Sequence, residues 1–357
     1  MPQLSPFQQI HENKAAAMTE RDGWLMPLHY GDPLDEYRRC RENLAVFDSS
    51  YSYRIRVGGP DAQKLLGPLV SCDVTRIFPS RQRYALFCNE QGGIIEDCLI
   101  QNQGSGYLLI GNPANHQRIL NYLQARQPSL NAKITDETFT TAMVTLRGPY
   151  ALPLLKEKLP FDLETIQPGD VLAENYFFMR FVISLDESLS PSIILPAKMA
   201  SMAWDMLEKY GKIYNAGVAG LETRNSLRIE AGQPGFGSEL NETIDPWTAG
   251  LQHTVDIDGD FIGASALRRL AEGNHTPKIA GFLLDAHPEC RLNLPAPIFM
   301  ADLEAGRLTS SCFSPSLQKP IALGYLNSHL PPNPALYLKT ATANIPLTLT
   351  PIPFLSR

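Results

Sequence analysis

The apolar and polar positions of the chain first mark helix starts. Ser5 stands ahead of Pro6 with Gln8 three residues on, the order of a capped helix start. Asp32-Pro33 repeats that signal. Leu34, Tyr37, Cys40, Leu44 and Phe47 follow at helical spacing, so the pattern predicts one inward-facing helix stripe ending at Asp48. Residues 55–66, IRVGGPDAQKLL, are echoed 89 residues later by 144–155, VTLRGPYALPLL. Each reads as a β-branched run, a Gly-Pro turn and a helix, which suggests two related α/β units. Residues 84–100, YALFCNEQGGIIEDCLI, read as a hairpin turning at Asn89 to Gly93. Residues 219–232, AGLETRNSLRIEAG, read as a helix stopped at Gly232.

The tail has another texture. Eleven of the 29 prolines lie between Pro288 and Pro353, among short runs such as IALGYL and ALYLK. Frequent turns between short strands predict a small β-barrel or sandwich. The polar stretch 271–278, AEGNHTPK, reads as a linker.

Composition narrows the class. A chain of 357 residues with 44% apolar and 19% charged residues predicts two or three globular domains. A formal charge of −6 argues against a general nucleic-acid binder. No apolar run approaches the roughly 18 residues of a membrane helix, so no membrane partner is expected. The first residues show no secretory signal, and the six scattered cysteines form no CxxC. Reduced thiols and a cytoplasmic location are the expectation.

Two groupings carry candidate chemistry. Glu96 and Asp97 interrupt an otherwise apolar strand, and strand alternation sends them to opposite faces. At least one carboxylate therefore enters apolar surroundings, where it must be hydrogen-bonded, paired or neutral. It is a candidate for holding or relaying a proton, or else part of a structural ion pair. On the 219–232 helix, Leu221, Arg224, Asn225 and Arg228 share one stripe. Two guanidinium groups suit carboxylate recognition, with pairing to Glu222 or Glu230 as the alternative. There is no GxSxG, GxxxxGK[ST] or HExxH, and the seven histidines are isolated, so no metal is expected.

Several segments, in order, resemble the glycine cleavage T-protein (aminomethyltransferase) family. They are GWLMPLHYG (23–31), AVFDSS (45–50), NEQGGIIEDCLI (89–100), LRGP (146–149), GLETRNSLRIEAGQPGFGSEL (220–240), DFIGASAL (260–267) and SSCFSPSLQKPIALGYL (310–326). The resemblance implies an α+β, three-domain cloverleaf around a central channel. Residues 1–50 and 139–270 would form the first α/β domain, 51–138 a second inserted in it, and 276–357 a C-terminal β-barrel. It implies a transferase moving an aminomethyl or methyl unit to tetrahydrofolate, from a small-molecule donor or one bound to a lipoyl-carrier protein. Asp97 falls on the family's catalytic acidic position. Tyr84, Glu96, Asn112, Arg228, Phe236 and Arg291 fall among the implied folate or donor contacts.

The chain also departs from the family pattern. Ser49, Ser50, Tyr51 and Ser52 replace a Val-Ser-His-Met run. VISLDE stands where GYTGE is usual, so Asp186 or Glu187 is the candidate for the pterin-edge acid. Phe236 replaces a common tyrosine. The alternative reading is a diverged, non-catalytic or folate-independent member, including a folate-binding iron–sulfur assembly factor. The cysteine of those factors is absent from RIEAGQPGFGSEL.

Overall fold

The computed structural model describes residues 1–273, 277–287, 292–327, 330–331, 334–340 and 344–355. Near the N-terminus, strands β1 (Gln3–Leu4), β2 (Ala17–Arg21) and β3 (Trp24–His29) form a small sheet in the order β1-β3-β2. Helix α1 (Gln8–Asn13) begins two residues later than Pro6 would place it. Ser5 does not cap it in the expected way. Its Oγ accepts the Phe7 N–H at 3.1 Å, and its hydroxyl donates to Asp48.

Asp32 caps α2 (Pro33–Glu42), accepting the Leu34 N–H at 2.9 Å. The expected stripe to Phe47 is corrected here. The helix stops at Glu42, and Leu44–Asp48 is strand β4, buried at every position. A short apolar run reads equally as buried strand or helix face, and pairing decides. Here β4 pairs with chain more than 90 residues away, Phe47 opposite Thr145 and Leu44 opposite Ala216.

The internal echo is real at the backbone. Strand β5 (Tyr53–Gly58) leads into α3 (Ala62–Leu66). After β6 (Arg81–Cys88), β7 (Ile94–Asn102), β8 (Tyr107–Gly111), α4 (His116–Arg126) and β9 (Lys133–Asp136), strand β10 (Thr141–Arg147) leads likewise into α5 (Ala151–Lys158). Gly59 (φ +95) and Gly148 (φ +114) occupy the left-handed region. A Cβ there would meet Asn131 O at 2.7 Å or Asn43 O at 2.3 Å. Those same carbonyls accept the N–H groups of Asp61 and Tyr150.

Then come β11 (Val171–Tyr176), β12 (Met179–Leu185), β13 (Pro191–Pro196), α6 (Ala200–Gly211), β14 (Ala216–Val218), α7 (Leu221–Glu230) and α8 (Ala264–Ala271). The tail supplies β15 (Lys278–Leu284), β16 (Ala296–Met300), β17 (Leu303–Ser314), β18 (Lys319–Leu326), β19 (Leu336–Lys339) and β20 (Asn344–Thr350). These six close into a barrel in the order β15-β18-β17-β16-β19-β20, which decides between barrel and sandwich. The fold is therefore mixed α/β with a closed C-terminal barrel.

Two compact units divide the chain. The first comprises Met1–Pro68, Asp73–Ala85 and Cys98–Thr223, and the second Leu69–Cys72, Leu86–Asp97 and Arg224–Arg357. In the first, a six-stranded sheet runs β11-β12-β13-β10-β4-β14. Alternation gives it two apolar faces. Ala142, Val144, Leu146, Ile183, Ile193 and Leu195 meet Leu154, Leu155 and Trp204 of α5 and α6. Met143, Val182 and Ile194 meet Leu108 and Ile110 of the other sheet, whose order is β6-β7-β8-β5-β9.

One buried cation ties the departing 49–52 segment into this unit. Arg54 is 0% exposed and donates to the carbonyls of Ser50, Ser52, Thr138 and Thr141 and to Thr141 Oγ1. Burial pulls its pKa down to about 10, against the attraction of Asp48, Asp136 and Glu137, so it stays charged at neutral pH. Arg54→Met removes every one of these donors and leaves buried carbonyls unpaired. Each such orphan costs about 1–3 kcal/mol, so a loss of at least ~3 kcal/mol is expected in urea unfolding. Arg54→Lys recovers only part, because an ammonium cannot reproduce the planar fork.

Candidate functional site

The carboxylates singled out in the sequence sit on β7. Most of it is buried, with Ile94 at 0% and Ile95 at 3% exposed, while Asp97 and Leu99 on one face are half-buried. Glu96 is fully buried, whereas Asp97 is half-buried between Ile95 and Leu99 on its face. Turn chemistry holds the hairpin. Asn89 Oδ1 accepts the N–H groups of Gln91 (3.0 Å) and Gly93 (2.8 Å), and Gly92 takes φ +87. The Asn89 side chain donates to Glu242 O at 3.0 Å, and the Ile94 N–H donates to Ile244 O at 2.9 Å. A Cβ on Gly93 would lie 1.8 Å from Glu242 O, so only glycine allows this approach.

Tyr84 is half-buried on β6 and Asn112 directly follows β8. With Asp97 on β7, the three candidates come from three consecutive strands of one sheet.

Arg228 on α7 has a dense set of partners. Its Nη1 donates to Glu239 Oε2 and to Gln233 O, both at 2.8 Å. Nη2 donates to Asn225 Oδ1 at 2.9 Å and to Ser310 Oγ at 3.2 Å, and Nε to Asn225 Oδ1 at 3.2 Å. Glu239, 0% exposed, also accepts the Gly235 N–H at 2.9 Å, the Thr309 hydroxyl at 2.6 Å and the Ser310 hydroxyl. The carboxylate that pairs with Arg228 is thus Glu239, and Ser314 donates to Glu230. This centre binds α7 and the 233–240 loop, which carries half-buried Phe236, to barrel strand β17. Burial also raises the pKa of Tyr325, whose hydroxyl donates to Glu239 O at 2.9 Å.

Residue reasoning singled out Arg228 but not Glu239, Thr309 or Ser310. Glu239 and Ser310 lie in two segments that carry the family resemblance, which was the available signal. Asp186 closes the β12–β13 turn. Its Oδ1 accepts from Ser188 N (2.8 Å), Ser188 Oγ (2.7 Å) and Ser190 N (2.8 Å), and Arg147 faces Oδ2 at 3.7 Å. Glu187 beside it is exposed. Arg291 lies outside the described residues.

His11, one of the isolated histidines, is a buried core residue. It bridges Asp48 Oδ2 (2.9 Å) and the Tyr30 hydroxyl (2.7 Å). Among the described residues no His, Cys, Asp and Glu cluster could hold a metal, and the five cysteines there are free. Burial pushes the thiols of Cys40, Cys88 and Cys312 up to about 12, so they are protonated. No described helix is long and apolar enough to cross a membrane.

Mixed α/β sheets and a closed C-terminal barrel, with an acidic hairpin strand and an arginine-bearing helix, define a class that the comparisons make specific. The GCVT N-terminal domain matches residues 7–259 and the glycine cleavage T-protein C-terminal barrel domain matches 278–355. The chain belongs to the glycine cleavage T-protein family. It is 29% identical to an aminomethyltransferase of Saccharopolyspora erythraea, over all of this chain and 99% of that one. It is 30% identical to an aminomethyltransferase of Streptomyces avermitilis, over 94% of this chain and 92% of that one. The crystal structure of glycine cleavage system aminomethyltransferase T from Bartonella henselae superposes with TM-score 0.89 at 24% identity, covering 99% and 98% of the two chains.

Two outcomes follow. Glu239→Ala leaves Arg228 without its carboxylate and should cost about 3–5 kcal/mol, the range for breaking a buried pair, measured by denaturant unfolding. Gly93→Ala forces the hairpin away from Glu242 and should cost at least roughly 1–3 kcal/mol, the scale of overpacking, in the same assay.

Proposed function

We propose that this protein is an aminomethyltransferase that delivers a one-carbon unit to tetrahydrofolate, with Asp97 as its catalytic carboxylate. The observation that carries this reading is a half-buried acid between Ile95 and Leu99 on a largely buried strand, at the family's acidic position. The end-to-end family match supports it over a diverged, non-catalytic relative. So do full-length relatives named aminomethyltransferase.

The residues present fit the folate. Tyr84 offers an aromatic face, Asn112 an amide and Asp97 a carboxylate, from three consecutive strands of one sheet. Glu96 lies deeper on β7 and supports the strand. When bound, tetrahydrofolate supplies the nitrogen that accepts the one-carbon unit. Asp97 stabilises the positive charge that develops as the unit leaves its donor, and it holds or moves a proton at its carboxylate oxygen. Apolar neighbours strengthen that interaction by lowering the local dielectric.

Asp186 is bonded within its turn, and Asp186 or Glu187 is the acid of that segment proposed for the ligand. Arg228 acts through its bonds to Glu239 and Ser310, which set the loop bearing Phe236. Arg291, outside the described residues, keeps the contact to the folate tail or the donor that the resemblance implies. The donor is an aminomethyl group on a lipoyl-carrier protein, and the setting is cytoplasmic. The domain division at 1–50 with 139–270, 51–138 and 276–357 belongs to the same reading.

Tetrahydrofolate binding by calorimetry, followed by turnover with the carrier-bound donor, tests this. Asp97→Asn should retain the circular dichroism spectrum while turnover falls by roughly 10²-fold or more, the usual scale for a lost acid–base group. Unchanged turnover removes Asp97 from the chemistry, and absence of folate binding by the unaltered protein removes the cofactor.

A further inference from the structure

Three segments of the first unit bring together charges that the transferase reading does not use. Arg56 on β5 and Arg180 on β12 both donate to one oxygen, Gln103 Oε1, each at 2.9 Å. The two donor nitrogens therefore stand no more than twice that distance apart. Gln103 is neutral, so this shared acceptor offsets neither charge.

The carboxylate nearby is Glu137, and Arg56 grips it side-on through Nε and Nη2. Among the described residues Arg180 has no ion-pair partner, and its Nε is buried with no acceptor. A guanidinium N–H without an acceptor carries a full desolvation cost. Burial and then the Arg56 charge pull the Arg180 pKa down, against the attraction of Glu137.

The acceptor is held in place from behind. Gln103 Nε2 donates to Gln101 Oε1 at 3.1 Å, Gln101 Nε2 to Gln82 Oε1 at 3.0 Å, and Gln82 Nε2 to Leu185 O at 3.1 Å. Guanidinium groups only donate, so the amide oxygen must face them. The arginines are thus fixed before any ligand arrives. Access exists, since the Arg56 side chain is 17% exposed and Gly104 and Ser105 on the same loop are exposed.

We propose that Arg56 and Arg180, oriented by Gln103, form a binding site for a small oxyanion, a carboxylate or phosphate group. Such a group offers two or more charged oxygens to a pair of planar forks, which a neutral amide oxygen does not. One ligand oxygen bonds the outward Nη protons of Arg56 and another satisfies Arg180. The site stands independently of the folate reading.

Titration calorimetry of the intact chain with inorganic phosphate, and separately with glutarate, tests this at ionic strength matched with sodium chloride. Saturable binding of at least one anion is expected, weakened tenfold or more in Arg180→Met. Phosphate alone binding identifies a tetrahedral group, and glutarate alone a carboxylate. Gln103→Glu places a resident carboxylate between the arginines. It should raise the melting temperature without added anion and abolish the titration. No saturable heat with either anion overturns the proposal. So does equal binding by a folded Arg180→Met protein, or a lowered melting temperature in Gln103→Glu.

Discussion

Taking an ionised side chain out of water costs several kcal/mol unless donors or acceptors replace its hydration. The interior of this protein is organised around that constraint. Arg54 answers it with four carbonyl oxygens and the Thr141 hydroxyl. Asp48 answers it with His11, Ser5 and the Ser50 N–H. Glu36, 1% exposed, accepts the Gly220 N–H and the Thr223 hydroxyl, both at 2.8 Å. Glu239 gathers Arg228, Gly235, Thr309 and Ser310. Each centre ties together segments far apart in the chain, because its bonds form only when those segments converge.

Against that background the two acids of β7 differ in depth, and the proposed function divides their roles accordingly. Glu96 is wholly enclosed and Asp97 half so. A carboxylate that exchanges protons with a ligand has to reach it, and partial burial supplies both access and a lowered dielectric. The hairpin places this group through Gly93, where absence of a side chain lets the Glu242 carbonyl approach. The placement of Asp97 thus depends on a backbone contact four residues away along the chain.

The serine run at 49–52 shows how a departure from the family pattern is absorbed. Ser49 bonds Thr145 at 2.9 Å, Ser50 Oγ accepts the Met143 N–H at 3.0 Å, and the carbonyls of Ser50 and Ser52 accept from Arg54. Short hydroxyl side chains here bond neighbouring strands. The segment is part of the packed interior of its unit.

Local signals were enough for much of the architecture. Asn89 with two following glycines announced the hairpin, the Gly-Pro echo announced two strand-turn-helix units, and proline punctuation announced the β-rich tail. These features depend on residues within a few positions, where backbone sterics and capping act. The family resemblance added the role proposed for Asp97. Tertiary structure alone decided that Leu44–Asp48 is a strand, that Arg228 belongs with Glu239, and that Asp186 closes a turn. It alone set Arg180 beside Gln103, 77 residues away. In each case the deciding partner is supplied by packing. A periodic pattern shows which face turns inward, and the folded chain determines what that face meets.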